Sequence, residues 1–112
     1  MNIIMKTQEE IKTPLRLTAE LKYTDSQIVA KDVFSTDNGS VTLLAFANGA
    51  MLARHSVEYD VFVYVIEGAV EFEVDNQRQH LDKGDGILLP ASTPHTVLAL
   101  DNSKVVLTKI KP

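Results

Sequence analysis

The histidines are the residues of this chain whose type and spacing could do chemistry. The sequence has three histidines and no cysteine, so imidazoles are open to a metal where thiolates are not. His55 leads into an apolar run in "RHSVEYDVFVYVIEG" (54–68), and His95 follows a proline-bounded loop in "LPASTPHTVLA" (89–99). His80 lies in the polar stretch "NQRQHLDK", which indicates a surface position. His55 and His95 are therefore the strongest candidates for a functional site.

Other catalytic chemistries find little support. Ser92 and Thr93 lie close to His95, but a catalytic triad also needs a carboxylate that orients the histidine, and the sequence identifies none. The chain contains no Gly-x-Ser-x-Gly elbow and no glycine-rich phosphate loop that opens a helix. We interpret "PASTPH" as a loop between two strands that delivers His95 to the site.

Composition excludes further classes. The 112 residues are enough for one domain with a single core. Apolar residues make up 45% and charged residues 23%, and the net charge of −4 shows no basic excess, so we expect no nucleic-acid partner. The N-terminal "MNIIMKTQEE" has too few apolar residues for a signal peptide or a membrane span. We therefore expect a cytoplasmic protein that does not contact a membrane.

Short strands are the elements that must position the histidines. Apolar stretches from "QIVAKDVF" to "KVVLTKI" are separated by Gly, Asn, Asp and Pro, with no long helical period. This pattern predicts an all-β sandwich or barrel. "LTAELKY" (17–23) predicts a turn or two of helix with Thr18 as the N-cap. We expect an N-terminal arm with this short helix over residues 1–29 and one barrel domain over residues 30–112.

One strand is predicted to be covered on both faces. The residues from Val61 to Ile66 are all apolar, whereas a strand with one wet face alternates. Because the inner face of a small barrel is its core, the outer face needs a cover of its own. We expect a homodimer to bury that outer face together with Leu98, Leu100 and Leu107. The alternative is that the N-terminal arm folds back over it.

Two motifs resemble those of the cupin family, specifically the small single-domain, RmlC-like cupins. The first family motif is Gly, five residues, His-x-His, three or four residues, Glu, six residues, Gly. The second is Gly, five residues, Pro-x-Gly, two residues, His, three residues, Asn; Ser92 and Ala99 depart from it. The resemblance covers roughly residues 30–110 and implies a double-stranded β-barrel, or jelly roll. The residues that match are Gly49, His55, Gly68, Gly84, Pro90 and His95.

The resemblance also implies a metal site, of which half the ligands are missing here. Cupins commonly bind a metal through two histidines and a glutamate of the first motif and the histidine of the second. By position these ligands fall on His55, Val57, Val61 and His95, and valine has no lone pair to offer. Residues 55, 57 and 61 share strand parity, so we expect both valines to point into the barrel beside the histidines.

The remaining candidates leave two interpretations of the histidine pair open. Asp60 is a candidate third ligand, although alternation turns it away from His55 unless a β-bulge re-aims it. Tyr64 is a further candidate for the pocket. With so few ligands, a divalent transition metal (Zn, Ni, Mn or Fe) would bind weakly. The other interpretation is a neutral imidazole pair, His55 and His95, hydrogen-bonded to each other, to water or to a hydroxyl.

Two functions follow from these interpretations. The first is a binding protein that holds a small, partly apolar molecule, since ligand pockets are mostly apolar with a few polar groups. The second is a metal-dependent cupin enzyme, a dioxygenase or isomerase by analogy, with an incomplete or substituted ligand set. Cupins have many unrelated activities, so the fold does not choose between them. We expect the binding protein, with a pocket formed by His55, Val57, Val61, Tyr64 and His95.

Overall fold

The computed structural model describes residues 3–6 and 14–112, with the backbone alone described for residues 4–6. These residues contain one short 3₁₀ helix, Leu17–Ala19, and ten strands, which confirms the predicted all-β class. None of the helices in the described parts of the chain is long and apolar enough to cross a membrane. The strands are β1 (Ile3–Lys6), β2 (Ile28–Thr36), β3 (Gly39–Phe46), β4 (Met51–His55), β5 (Asp60–Glu67), β6 (Ala69–Val74), β7 (Gln77–Asp82), β8 (Gly86–Leu89), β9 (His95–Ala99) and β10 (Ser103–Ile110).

The strands form the two facing sheets of a double-stranded β-barrel, as predicted. One sheet has six strands in the order β1-β2-β3-β10-β5-β8, and the other has four in the order β4-β9-β6-β7. β1 pairs with β2 in parallel, whereas β3 and β5 both pair with β10 in antiparallel fashion. Side chains from the inner faces of both sheets form the main core, which includes Phe46, Val63, Phe72 and Val97.

Turn residues end the strands where the sequence predicts it. Gly49 and Gly84 lie between strands with φ of +81° and +94°, a conformation that other residues adopt only with strain. Asp75 and Asn76, with φ of 52° and 62°, connect β6 to β7. Two consecutive residues with positive φ form the type I′ turn that suits the twist of a hairpin. Local residue chemistry therefore accounts for the breaks between these strands.

Residues 17–23, which we call the N-terminal segment, cover part of the outer face of the six-stranded sheet. Leu21 is buried in a second apolar cluster with Val29, Leu43 and Ala45, and Tyr23 packs against this cluster. Residues 17–23 therefore cover one part of that face, whereas residues 3–6 extend the sheet as β1. Residues 7–13 of the predicted arm lie outside the described part of the chain, so an arm over the face of Val61–Ile66 stays a prediction.

Two buried lysines fix this segment on the sheet. Lys31 forms an ion pair of 2.5 Å with Glu20. Lys104 donates a hydrogen bond to the carbonyl oxygen of Thr18 and lies 3.6 Å from a carboxylate oxygen of Glu67. Because an ammonium group is rarely buried without a partner, these contacts define where the segment packs.

Several expectations differ from the structure. Arg16 is the N-cap of the 3₁₀ helix and makes no side-chain capping bond, so the assignment of Thr18 as N-cap is wrong. β2 begins at Ile28, so a domain boundary at residue 30 falls inside a strand. Leu107 packs against the main core rather than lying on the outer face, and Leu98 belongs to β9 in the other sheet. Sequence parity alone could not assign these leucines because it does not show how the strands pair.

Candidate functional site

The two sheets line a cavity of about 430 Å³ that opens to solvent. Its volume lies within the range of roughly 300–1,000 Å³ that is common for small-molecule sites. His55, Val57, Val61 and His95 all line it. The four positions at which the resemblance implies metal ligands therefore face one common space, two of them with imidazoles and two with apolar side chains.

The two histidines meet because their strands pair. His55 on β4 and His95 on β9 are directly opposite each other in an antiparallel ladder. Opposite side chains in such a ladder start about 4.5–5.5 Å apart, and the two ring centroids are 4.4 Å apart with their planes tilted by 59°. The register shifts between Leu52 and His55. Because of this irregularity His55 pairs with His95. The histidine of the first motif and the histidine of the second are thus direct neighbours.

Main-chain hydrogen bonds decide which nitrogen of each ring carries the proton. Nδ1 of His55 lies 3.2 Å from the carbonyl oxygen of Ala53, and Nδ1 of His95 lies 2.9 Å from that of Thr93. A carbonyl oxygen can only accept, so each Nδ1 is protonated and donates. In the neutral ring Nε2 then keeps its lone pair. The pair thus presents two hydrogen-bond acceptors, and its partners are main-chain carbonyls.

Burial keeps His95 neutral. Its exposed fraction is only 7%, and loss of hydration lowers its pKa below the ordinary value of 6.5. The hydrogen bond to the carbonyl of Thr93 opposes this effect, whereas the neighbouring His55 lowers the pKa further. The ring centroid of Phe72 lies 6.0 Å away and adds an apolar wall. His95 therefore acts as a neutral acceptor at pH 7.

Hydrogen bonds join the loops that carry the two motifs. The N–H of Ser92 donates to the carbonyl of Val57 at 2.7 Å, and the N–H of Ala91 donates to Oδ1 of Asp60 at 2.9 Å. Ser92 stands at the family's glycine position and has a φ of +62°, so this chain keeps a left-handed conformation that glycine adopts more easily. These bonds position Val57 and the loop that leads into His95.

Three other candidates lie away from the cavity. Asp60 is not among the cavity residues, and one of its carboxylate oxygens accepts the bond from Ala91. Tyr64 alternates with the buried Val63 and is 43% exposed on the outer face, so its assignment to the pocket is wrong. His80 is exposed, as predicted, with Nε2 at 2.8 Å from Oδ1 of Asp82.

The donor set does not fit the metal site that the fold family implies. Val57 and Val61 occupy two of the four ligand positions and offer no lone pair. Among the described residues, no group of three or more His, Cys, Asp or Glu side chains could hold a metal ion. Catalytic metals usually have at least three protein ligands, so His55 and His95 alone make an incomplete site for Zn, Ni, Mn or Fe.

The polar residues of the cavity wall were not predicted from the sequence. Asp32, Thr42, Tyr59 and Lys109 also line the cavity. The hydroxyl of Thr42 donates to Oδ1 of Asp32 at 2.6 Å. Leu107 and Lys109 are two residues apart on one strand and so share a face. Knowing that Leu107 points inward would therefore have predicted that Lys109 does too. A charged residue near the end of a strand is ordinarily assigned to the wet face.

Comparison with known proteins defines the class. Residues 42–110 match the sequence profile described as "Cupin domain". Since this is more than half of the chain, the protein belongs to the cupin family. A search of curated proteins gave no match.

Solved structures resemble this chain over most of its length. A conserved protein of unknown function from Streptococcus pyogenes has a TM-score of 0.86 and 25% identity, covering 100% of this chain and 96% of that one. An RmlC-like cupin from Desulfovibrio desulfuricans has a TM-score of 0.78 and 28% identity, with 92% and 99% covered. KdgF from Halomonas sp. has a TM-score of 0.72 and 28% identity, with 82% and 86% covered.

The first prediction concerns the titration of His95. Because its pKa is lowered on folding, the unfolded chain binds this proton first as the pH falls. The free energy of unfolding should therefore be unaffected by His95 above about pH 6.5 and should decrease as the pH falls from there through the folded-state pKa. NMR titration, with His95→Gln to assign the ring signals, measures the pKa directly. Urea unfolding at pH 7.0 and 5.5 should show a smaller loss of stability in His95→Gln; a His95 pKa above 6.5 would contradict this account.

The second prediction concerns the missing ligands. Val57→His together with Val61→Glu supplies the family's four-ligand set, and complete Zn sites bind with roughly 10–16 kcal/mol. We expect this variant to bind Ni²⁺ or Zn²⁺ about 100-fold more tightly than the wild type, measured by isothermal titration on tag-free protein. Val57→Leu with Val61→Gln, similar in size but poor in ligands, is the control and should bind like the wild type. Wild-type protein that retains one metal per chain through EDTA treatment would refute the incomplete-site interpretation.

Proposed function

We propose that this cupin binds a small, partly apolar organic molecule in the barrel cavity. The observation that carries the proposal is the combination of two fixed imidazole acceptors with an apolar wall. His55 and His95 would accept hydrogen bonds from O–H or N–H groups of the ligand through Nε2, while Val57 and Val61 would contact its apolar part.

The chemistry of the walls supports binding over metal catalysis. Each Nδ1 is already used by a main-chain carbonyl, so the rings cannot reorient without losing a hydrogen bond. A fixed acceptor pair can orient a ligand at little entropic cost. The alternative, a metal-dependent dioxygenase or isomerase, would have to complete its ligand set from water or substrate, because Val57 and Val61 contribute nothing.

Neutral aromatic probes test the cavity as a binding site. We expect p-cresol and 4-hydroxybenzamide to bind with a Kd of about 1 mM or tighter, which is reasonable for ligands of eight to ten non-hydrogen atoms. In a ¹H–¹⁵N NMR titration the shifts should concentrate on residues around His55 and His95. Val57→Trp, which fills the cavity from its wall, should weaken both probes at least tenfold. Glu58→Trp changes the exposed neighbour of Val57 and should not.

Two results would contradict binding in this cavity. If no probe shifts the cavity residues, or if Val57→Trp and Glu58→Trp have equal effects, the cavity does not serve as the binding site. Circular dichroism and thermal unfolding of both tryptophan variants establish that each is folded.

We also propose that the protein forms a homodimer through the outer face of the six-stranded sheet. Cross-strand registers place five outer residues in one row across five strands. The three largest are 59%, 46% and 62% exposed. In order across the sheet, the row is Phe34, Val41, Thr108, Phe62 and Leu88.

The size of this apolar face suits a second copy. Tyr64 and Ile110 flank the row and are 43% and 59% exposed. At about half exposure each large side chain presents roughly 100 Å². The face therefore offers on the order of 500 Å², most of the ~800 Å² that each partner buries in a standard interface. A sheet face can also pack on its own copy about a two-fold axis. Leu98 and Leu100 do not belong to this proposed interface, because they lie in or just after β9 of the other sheet.

Charge introduced on the row tests the dimer. We expect light scattering of the wild type at micromolar concentration to give twice the chain mass of 12.4 kDa. Phe62→Asp with Leu88→Asp should give the mass of one chain, because a buried unpaired carboxylate is costly. Met51→Asp alters a residue of the other sheet that is 51% exposed and should leave the mass at two chains. A monomeric wild type refutes the proposal.

A further inference from the structure

One charged side chain enters the cavity without a partner from the described protein. Along β10, Val105, Leu107 and Lys109 line the cavity, as the alternation of a strand requires. Lys109 is half-buried. It therefore contributes a cation to a wall that is otherwise largely apolar.

The register places this cation beside a specific position. Lys109 lies directly opposite Val61 on β5 and opposite Ser40 on β3. Opposite residues in an antiparallel ladder have Cα atoms about 4.5–5.5 Å apart. Val61 stands where the family motif has glutamate. The side chain of Lys109 thus starts on the strand adjacent to position 61. That is the position at which the family motif has its metal-ligating glutamate.

The buried lysines of the described residues are both paired with carboxylates, which Lys109 is not. Lys31 is paired with Glu20, and Lys104 lies near Glu67. The ion pairs among the described residues do not include Lys109.

The acidic side chains that the structure describes near the cavity form no ion pair with Lys109. Asp32 lines the cavity, but it accepts a hydrogen bond from Thr42 and stands two strands away, on β2. Asp60 accepts a bond from the loop N–H of Ala91 and is not a cavity residue. The positive charge of Lys109 is therefore available to a ligand.

We propose that the ligand of this cavity is an organic acid, with its carboxylate on the ammonium group of Lys109. This inference rests on the proposed binding function and specifies its ligand class. The apolar body of the acid contacts Val57 and Val61, and a hydroxyl group at its other end donates to the Nε2 acceptors of His55 and His95. The ammonium group donates up to three hydrogen bonds and pairs with an anion.

The same residue disfavours a divalent cation. A fixed positive charge beside position 61 repels a metal ion there, and the repulsion is stronger in a partly desolvated cavity than in water. The replacement of the ligating carboxylate by Val61 and the presence of Lys109 on the adjacent strand act in the same direction, toward a negatively charged ligand.

Matched acids and amides test the inference separately from the proposed function. The probes are 4-hydroxybenzoate with 4-hydroxybenzamide, and benzoate with benzamide, titrated at pH 7.5 by NMR or calorimetry. Each pair differs in charge at nearly constant shape. We expect each acid to bind about tenfold more tightly than its amide. Lys109→Met should abolish that ratio while leaving amide affinity within twofold. 4-Hydroxybenzoate should bind more tightly than benzoate, and 4-hydroxybenzamide more tightly than benzamide. This should hold for both the wild type and Lys109→Met.

A second lysine provides the control. Lys83→Met removes an exposed charge in the turn next to Gly84, at the other end of β5 from Val61. It should keep the tenfold preference for acids, since solvent screens a distant surface charge.

The outcomes separate the two proposals. If acids and amides bind equally, or if Lys109→Met and Lys83→Met behave alike, the role of Lys109 is refuted while binding in the cavity stands. Tighter binding of either acid by Lys109→Met also refutes it. If none of the four probes shifts the cavity residues, the binding function itself fails, and the inference fails with it.

Discussion

The antiparallel pairing of β5 with β10 is the interaction on which both faces of this molecule depend. It joins seven residue pairs. In this register Lys109 lies opposite Val61 at the cavity, and Thr108 lies opposite Phe62 on the outer face. Because side chains alternate, a slip by one residue would exchange the two sets and place the lysine outside. The charge of the cavity and the apolar row outside it are consequences of one register.

The barrel could be predicted from the sequence because its signals are local. Gly49 and Gly84 end strands through backbone conformations that follow from the residue itself. The alternation of Val70 and Phe72 with acidic residues marks an inner and an outer face without knowledge of any neighbour. The same holds for the spacing of the two motifs, which places His55 and His95 at the starts or ends of strands. Fold class and histidine positions therefore needed no tertiary information.

The remaining features could not be predicted because they depend on partner strands. The run from Val61 to Ile66 does not show by itself what covers its outer face. Tyr64 is a different case, because the alternation that turns Val61 into the cavity already turns Tyr64 outward, and its assignment to the pocket contradicts that alternation. The last strand mixes apolar and polar residues on both faces, and only its pairing with β3 and β5 shows that Lys109 faces inward. The contact between the rings of His55 and His95 also requires an irregular register before His55. No residue type in that stretch predicts this irregularity.

The substitutions at the ligand positions change what the cavity can stabilise without removing its polarity. In the family's metal site, a cation would be held by lone pairs of three histidines and a glutamate. Here His55 and His95 keep their lone pairs, the valines supply none, and positive charge comes from the side chain of Lys109 on a neighbouring strand. An ammonium group donates hydrogen bonds but has no vacant orbital for a ligand's electron pair, so it attracts an anion without coordinating it. The cavity can therefore favour a negatively charged molecule by ion pairing and burial, which suits orientation and binding more directly than it suits Lewis-acid activation.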